Sequence, residues 1–325
     1  MSAAFTPIQL TDGAGLELEL LPFGASIQRI RFFGTEVTVG YPDPAAYQHN
    51  PFYLGSTVGR FANRIAKGQF SLNNHQYQLP VNNGPNHLHG GPDGWHQRPW
   101  RVLDQKADSA LLYLCAEDGE NGYPGTVEVW QRIVLQQGEV RLLFKAQSNK
   151  ATPLSLTNHS YFNLNQSAAD ISNHQLQIFS ESYLPTTADA IPTGELAPVA
   201  GTAFDWTQGQ QVGQALAASH PQLDLARGFD HSYVWPEWQA DQLPQRQARL
   251  YSPQSGIAME LWSDLPALQL YTGNYLDSPF APREGLCLEA QHWPDAPNQP
   301  LAPSAMLWPG ELYQHCISFR FSQQQ

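Results

Sequence analysis

Val140-Arg141-Leu142-Leu143-Phe144-Lys145-Ala146 sets apolar and polar side chains at alternate positions for most of its length. Successive side chains of an extended chain point to opposite faces, so this stretch reads as a half-buried β-strand. The same period of two recurs in Arg29-Ile30-Arg31-Phe32, in Glu36-Val37-Thr38-Val39 and in Gln175-Leu176-Gln177-Ile178-Phe179. Leu111-Leu112-Tyr113-Leu114-Cys115 and Ala267-Leu268-Gln269-Leu270-Tyr271 are more apolar, which predicts strands covered on both faces. Turn clusters separate these runs, among them Asn82-Asn83-Gly84-Pro85 and Asp118-Gly119-Glu120-Asn121-Gly122. Helical periodicity is confined to one short stretch, 210–219, and 26 Pro and 25 Gly spread through the chain oppose longer helices. The pattern predicts an all-β fold with many antiparallel strands in two packed sheets. With no fixed-period repeat, linker or charge block, residues 1–325 read as one domain, ending in a frayed Gln-rich tail.

The composition narrows the function. The chain of 325 residues is 42% hydrophobic and 14% charged, which is globular rather than disordered. Its formal net charge is -12, and its only lysines are Lys67, Lys106, Lys145 and Lys150. Nucleic-acid binding needs a basic surface that replaces phosphate counterions, so that class is excluded. The balance fits a small substrate without negative charge. Cys115, Cys287 and Cys316 form neither a C-x-x-C pair nor an even disulfide set, which favours a reducing compartment. No signal-peptide pattern and no run of 18 apolar residues are present, so the expected location is cytoplasmic, with no membrane partner.

Polar residues capable of chemistry gather in a few segments. Gly59-Arg60-Phe61-Ala62-Asn63-Arg64 places two guanidinium groups before a predicted strand, Gln69-Phe70-Ser71-Leu72, suited to hydroxyl ligation or to a solvated turn. Asn86-His87-Leu88-His89-Gly90-Gly91 aims two rings to one strand face, the start of a metal site or of a structural pair. Leu156-Thr157-Asn158-His159-Ser160-Tyr161-Phe162-Asn163-Leu164 carries polar groups where alternation calls for apolar ones. That is either a satisfied buried network or a histidine free to exchange protons. Asp230 precedes an aromatic strand and suits a hydroxyl pair or a turn. Glu289 ends an apolar strand, as a desolvated base or as an edge charge. Trp95, Trp100, Tyr161, Phe229 and Trp293 are candidate platforms for a sugar face. With no P-loop, dinucleotide fingerprint or Cys/His metal set, the inventory points to cofactor-free acid–base chemistry or carbohydrate binding.

Taken together, these stretches resemble the aldose 1-epimerase (galactose mutarotase) family. The resemblance rests on the segments at Gly59–Gly68, Asn86–Gly91, Leu156–Leu164 and Phe229–His231, with Gly122-Tyr123-Pro124-Gly125, Gln269-Leu270-Tyr271-Thr272-Gly273-Asn274 and Glu289-Ala290-Gln291-His292-Trp293-Pro294-Asp295-Ala296. They occur in the family's order from about residue 55 to the C-terminal end. The resemblance implies a β-supersandwich of two large twisted antiparallel sheets. It implies interconversion of the α and β anomers of free hexoses such as galactose and glucose, with no metal and no cofactor. It casts His159 as general acid, Glu289 as general base and His89 as a second histidine near the ring oxygen. Asn63 and Arg64 bind substrate and stabilise charge, and Asp230 and Gln269 ligate hydroxyls. The chemistry asks for a protonated His159 beside an ionised Glu289.

The chain departs from the family at Trp95 and at Phe204-Asp205-Trp206, both expected near the cleft rim. A hexose-6-phosphate mutarotase would want more Arg and Lys in the cleft, and a non-catalytic sugar-binding module would lack His159 or Glu289. The expected partner is a free aldohexose, acting on a monomer or homodimer.

Overall fold

In a computed structural model of the chain, residues 3–165 and 170–324 are described, and strands dominate them. Two large antiparallel sheets carry the architecture, one of nine strands and one of seven. A four-stranded sheet built from residues 8–36 and several two-stranded ladders complete it. The nine-stranded sheet follows the alternation of the sequence. Val127–Gln136 and Glu139–Ser148 bury every second residue, and their inward side chains include Ile133, Leu142 and Phe144. Leu268, Leu270, Leu288 and Ala290 of the seven-stranded sheet belong to the same buried cluster. Each such Leu, Ile or Phe side chain contributes roughly 1.5–3 kcal/mol when removed from water.

The seven-stranded sheet positions the site. Four of its strands are β1 (Tyr161–Phe162), β2 (Asp230–Val234), β3 (Ala267–Tyr271) and β4 (Leu286–Gln291), lying side by side in the order β2-β3-β4-β1. Register sets Ser232 opposite Gln269 and Gln269 opposite Glu289. One row along, Asp230 faces Tyr271, Tyr271 faces Cys287, and Cys287 faces Tyr161. Rows two residues apart share a face, so these side chains lie together while the leucines between them enter the core.

Several expectations change. Ser109–Ala116 buries one face and leaves Leu111, Tyr113 and Cys115 half-buried, so it is not covered on both sides. It lies between the exposed strand Arg101–Gln105 and Val127–Gln136, near the sheet edge. The 210–219 stretch begins as the strand Gln210–Gln211 and yields only the helix Val212–Leu216, followed by a second helix, Pro221–Ala226. The Gln-rich tail is paired. Tyr313–Gln323 is an interior strand of the nine-stranded sheet, Gln323 faces Ile257, and Gln324 donates its N–H to the Gly256 carbonyl at 2.8 Å. Gln325 lies outside the described residues. No helix among the described residues is long and apolar enough to cross a membrane.

The interior holds an unusual load of imidazole. Burial lowers the pKa of His87, His96, His159 and His174 to about 4, and of His231 and His292 to about 3. His89 is lowered as well. These rings are neutral in the fold, and the unfolded chain protonates its histidines near pH 6.5. Between the two values the unfolded chain binds more protons, so stability falls as pH falls. Glu289, whose pKa is raised, acts in the opposite sense but is outnumbered. The thermal midpoint should therefore drop steeply between about pH 6.5 and 4; a flat midpoint across that window would contradict the buried neutral state.

Candidate active site

The side of β1–β4 turned away from the leucine core is the floor of a cavity of about 610 Å³. Its walls come from loops around residues 51–53, 82–89 and 186–190. Asn63, Arg64, His89, His159, Asp230 and Glu289 all line it, and Gln269 lines the adjoining recess with Asp230 and Arg64. The structure thus brings together His89, His159, Glu289, Asn63, Arg64, Asp230 and Gln269.

Glu289 stands in the middle of β4, 2% exposed. One carboxylate oxygen, Oε1, lies 3.7 Å from His159 Nε2, and the other is buried without a protein partner. Burial pushes its pKa well up, the Asp230 charge adds to this, and Arg64 partly offsets it. His159 lies in the bend before β1. Its N–H bonds the Ser56 carbonyl and its own carbonyl accepts from Gly55 N–H, both at 2.9 Å. Asn158 and Ser160 brace that bend: Asn158 donates to Gly55 O at 2.7 Å and accepts from the Ser160 hydroxyl at 2.6 Å. Asn158 and Ser160 are thus satisfied within the polar run around His159, whereas Thr157 Oγ1 is buried without a protein partner. Burial favours neutral His159 and protonated Glu289, the reverse of the expected ionisation. Both forms hold one proton between the two groups and differ only in where it sits.

His89 faces the same space, its ring 5.3 Å from that of His159. Its backbone is left-handed, with φ 51°, and it is held by Asn63 from both sides. His89 N–H donates to Asn63 O at 3.1 Å, and Asn63 N–H donates to His89 Nδ1 at 3.2 Å. The next residue has to be glycine, because a Cβ on Gly90 would meet the Gly59 carbonyl oxygen at 2.0 Å. Since Nδ1 receives an N–H, the neutral ring carries its proton on Nε2 and can only donate from there.

That bond also tests the site as a metal centre. The ligand atoms of His89, His159 and Glu289 lie within 4.8 Å of one another. Coordination by His89 Nε2 would move the ring proton to Nδ1, against the Asn63 N–H. The donor set does not suit a metal. His87, the other half of the suspected pair, points elsewhere: its Nδ1 meets Pro80 O at 2.7 Å and its Nε2 meets Tyr123 OH at 2.8 Å.

The remaining polar residues form one chain of contacts. Gln269 Nε2 donates to Asp230 Oδ1 at 2.6 Å, and the Ser232 hydroxyl donates to Gln269 Oε1. Asp230 Oδ2 lies 3.9 Å from Arg64 Nη1, and Arg64 Nε donates to Asn83 Oδ1 at 3.0 Å. Asp295 joins the two halves of the site. It donates its N–H to Arg64 O at 2.7 Å and accepts from Ala66 N–H at 3.0 Å.

Other sequence candidates turn out structural. Arg60 is 2% exposed and donates to the carbonyls of Pro124 and Gly125 and to Thr152 Oγ1, at 2.8, 2.9 and 3.2 Å. Trp95, Trp100, Phe229 and Trp293 are buried, and only Tyr161 of the proposed aromatic platforms lines the cavity. Trp95 packs on Gly59, and Trp206 donates its Nε1–H to Tyr233 OH at 2.7 Å, so neither stands at the rim. The cavity aromatics are Phe52, Tyr53, Tyr161, Tyr271 and Tyr275. Tyr53 was not foreseen; its ring centroid is 4.6 Å from that of His89 and 5.7 Å from that of His159. Cys287 was missed as well, although a period of two from Glu289 puts it on the same face.

A sequence model of the aldose 1-epimerase family matches residues 7–320. The galactose mutarotase of Rattus norvegicus is 38% identical over 323 residues, spanning 94% of this chain and 91% of that one. The aldose 1-epimerase of Escherichia coli K12 is 32% identical over 330 residues, spanning 97% and 94%. The crystal structure of an aldose epimerase homologue from C. elegans superposes with a TM-score of 0.90 at 27% identity, covering 98% of this chain and 99% of that one.

The two arginines provide a test of this division of labour. Arg60→Met strands the carbonyls of Pro124, Gly125 and Glu117 and the Thr152 hydroxyl, at about 1–3 kcal/mol for each orphaned buried acceptor. Arg64→Met removes a partly exposed ion pair, worth at most about 1 kcal/mol. Urea unfolding should show a large loss for Arg60→Met and a small one for Arg64→Met. Equal losses would undo the assignment of Arg60 to structure.

Proposed function

The chain belongs to the aldose 1-epimerase family, and from that premise we propose that it interconverts the α and β anomers of free aldohexoses, galactose and glucose among them, by opening and reclosing the sugar ring. It is an isomerase. The observation that carries this reading is the desolvated pair of Glu289 and His159, 3.7 Å apart, on the floor of a cavity of a hexose's scale.

Ring opening needs one proton removed from the C1 hydroxyl and one delivered to the ring oxygen. Glu289 carboxylate takes the first as the C1–O5 bond breaks, and His159 gives the second to O5 from Nε2. The aldehyde turns about C1–C2. O5 then attacks the other face, returns its proton to His159, and the carbonyl oxygen takes its proton back from Glu289. No proton or electron is gained or lost over the cycle. A bound sugar supports the ionised form of the pair, since its C1 hydroxyl donates to Glu289 and its ring oxygen accepts from His159. His89, restricted to donating from Nε2, adds a second hydrogen bond on the ring-oxygen side. Arg64, Asn63, Asp230 and Gln269 hold the other hydroxyls and fix the orientation.

The phosphate-carrying alternative finds little support. Arg64 is the only Arg or Lys among the residues lining the cavity, and Asp230 and Asn83 already engage it. A dianionic phosphate would face one committed cation.

Polarimetry on freshly dissolved α-galactose and α-glucose tests the reading, with glucose-6-phosphate as the contrast. Free-sugar rotation should decay far faster with enzyme than without. Glu289→Gln and His159→Ala should each lower kcat by about 10²- to 10⁴-fold. Glu289→Gln should melt no lower than the parent, because it removes a buried acid with an unpartnered oxygen. Free-sugar decay at the uncatalysed rate, or full activity in either variant, would overturn the proposal.

A further inference from the structure

His159 meets Glu289 with Nε2, so Nε2 is the nitrogen that must gain and lose the proton. A histidine working from one nitrogen needs a partner on the other, to hold its tautomer and its ring plane. In most acid–base histidines that partner is a carboxylate or a backbone carbonyl. Here the side chain that meets Nδ1 is Cys287, its sulfur at 3.5 Å, beside the main-chain carbonyl of His159 itself.

We propose that Cys287 is the positioning residue of His159: its sulfur accepts the Nδ1–H and so leaves Nε2 as the nitrogen that exchanges protons with substrate. The inference rests on the acid role given to His159 above. Cys287 stands opposite Tyr161 and Tyr271 on neighbouring strands and two residues before Glu289 on β4. It is fully buried, and the His159 ring lies against its sulfur.

The choice of sulfur has a chemical consequence. A carboxylate at this place would stabilise the imidazolium and make it a poor acid. A thiol is neutral and a weak acceptor, so it orients the ring with little added charge stabilisation. Burial and the charges of Glu289 and Asp230 hold the Cys287 thiol well above its usual pKa, so it remains uncharged. The other groups facing His159 lend it no anion apart from Glu289. His89 is a neutral donor, Tyr53 and Tyr161 pack against the ring as neutral phenols, and His96 lies behind Tyr53. Arg64 and Asp230 act on the far side, through Glu289. His159 therefore holds a proton loosely and surrenders it readily to a ring oxygen.

The test combines tautomer and kinetics in Cys287→Val, which keeps the bulk and removes the acceptor, and in Cys287→Ser, which keeps an acceptor on a shorter bond. Nitrogen-15 NMR of His159 in the parent enzyme should show Nδ1 protonated and Nε2 bare at neutral pH. Cys287→Val should shift this toward the Nε2–H form, with a fall in kcat on the order of ten-fold, little change in KM and a displaced pH profile. Cys287→Ser should recover part of both signals. A parent His159 protonated on Nε2, or a Val variant with the parent's tautomer and pH profile, would overturn the inference. His159→Ala answers the separate question of whether the ring is catalytic, since full activity there would sink the acid role whatever the tautomer proves to be.

Discussion

A carboxyl and an imidazole have to sit dry and within reach of each other, and the arrangement around them follows from that constraint. In water, Glu289 and His159 would be ionised and neutral near pH 7, each hydrated and of little use to the other. On the floor of the seven-stranded sheet both lose their hydration, and burial drives each toward its uncharged form. A neutral pair sharing one proton is the inexpensive state of the empty site. The ionised pair becomes favourable when hydroxyl and ring oxygen supply the hydrogen bonds that water would have made. Glu289 Oε2, buried and without a protein partner, is a site waiting for such a donor. Polar groups that find their partners only in the substrate complex put binding energy where the charge moves.

Such a pair survives only in a rigid frame, and much of the polar sequence near it serves the frame. Arg60 ties the chain after Gly59 to Pro124 and Gly125, and Asp295 ties β4's outgoing loop to Arg64. His231 Nδ1 accepts from the Asp230 N–H at 3.1 Å while its Nε2 meets Gln222 Oε1 at 3.0 Å. Gln222 in turn bonds Thr186 at the start of the 186–190 wall. The polar clusters thus divide into side chains that reach the cavity and side chains that fix the backbone beneath them. Asn63 does both, lining the cavity while holding His89 in its left-handed turn.

The same division decides what could be read from the sequence. Alternation revealed the strands because each buries one face, and the more apolar Ala267–Tyr271 is buried at every position but Tyr271. It failed at Ser109–Ala116, where apolar residues remain half-buried, and at the tail, where Gln323 pairs although its side chain is polar. For the site, spacing gave candidates that did not separate Arg60 from Arg64 or His87 from His89, and the resemblance chose Arg64 and His89. The physical reason lies in the tertiary positions of Pro124, Pro80 and Tyr123, which take up Arg60 and His87. The large aromatics misled for a related reason. Trp95, Phe229 and Trp293 are bulky enough to be most useful in the core, and the aromatics that line the cavity are Phe52 and four tyrosines.

An enzyme that equilibrates anomers must hold its substrate firmly without holding C1. The distribution of charge and hydrogen-bonding groups suits that requirement. Asp230, Gln269, Arg64 and Asn83 form one continuous hydrogen-bonded and ionic chain, so ligands placed against it are fixed by several groups at once. His159, Glu289 and His89 stand apart from that chain, and each offers a single proton position. On the proposed mechanism, a hexose gripped through its distal hydroxyls keeps rotation about C1–C2 free once the ring opens, and either face of the aldehyde then meets the same two groups. Stronger ligation of C1 would favour one anomer in the ground state and slow the exchange. On the proposed mechanism, the sparse surroundings of the pair, with a thiol rather than a carboxylate beside His159 Nδ1, would leave neither anomer favoured.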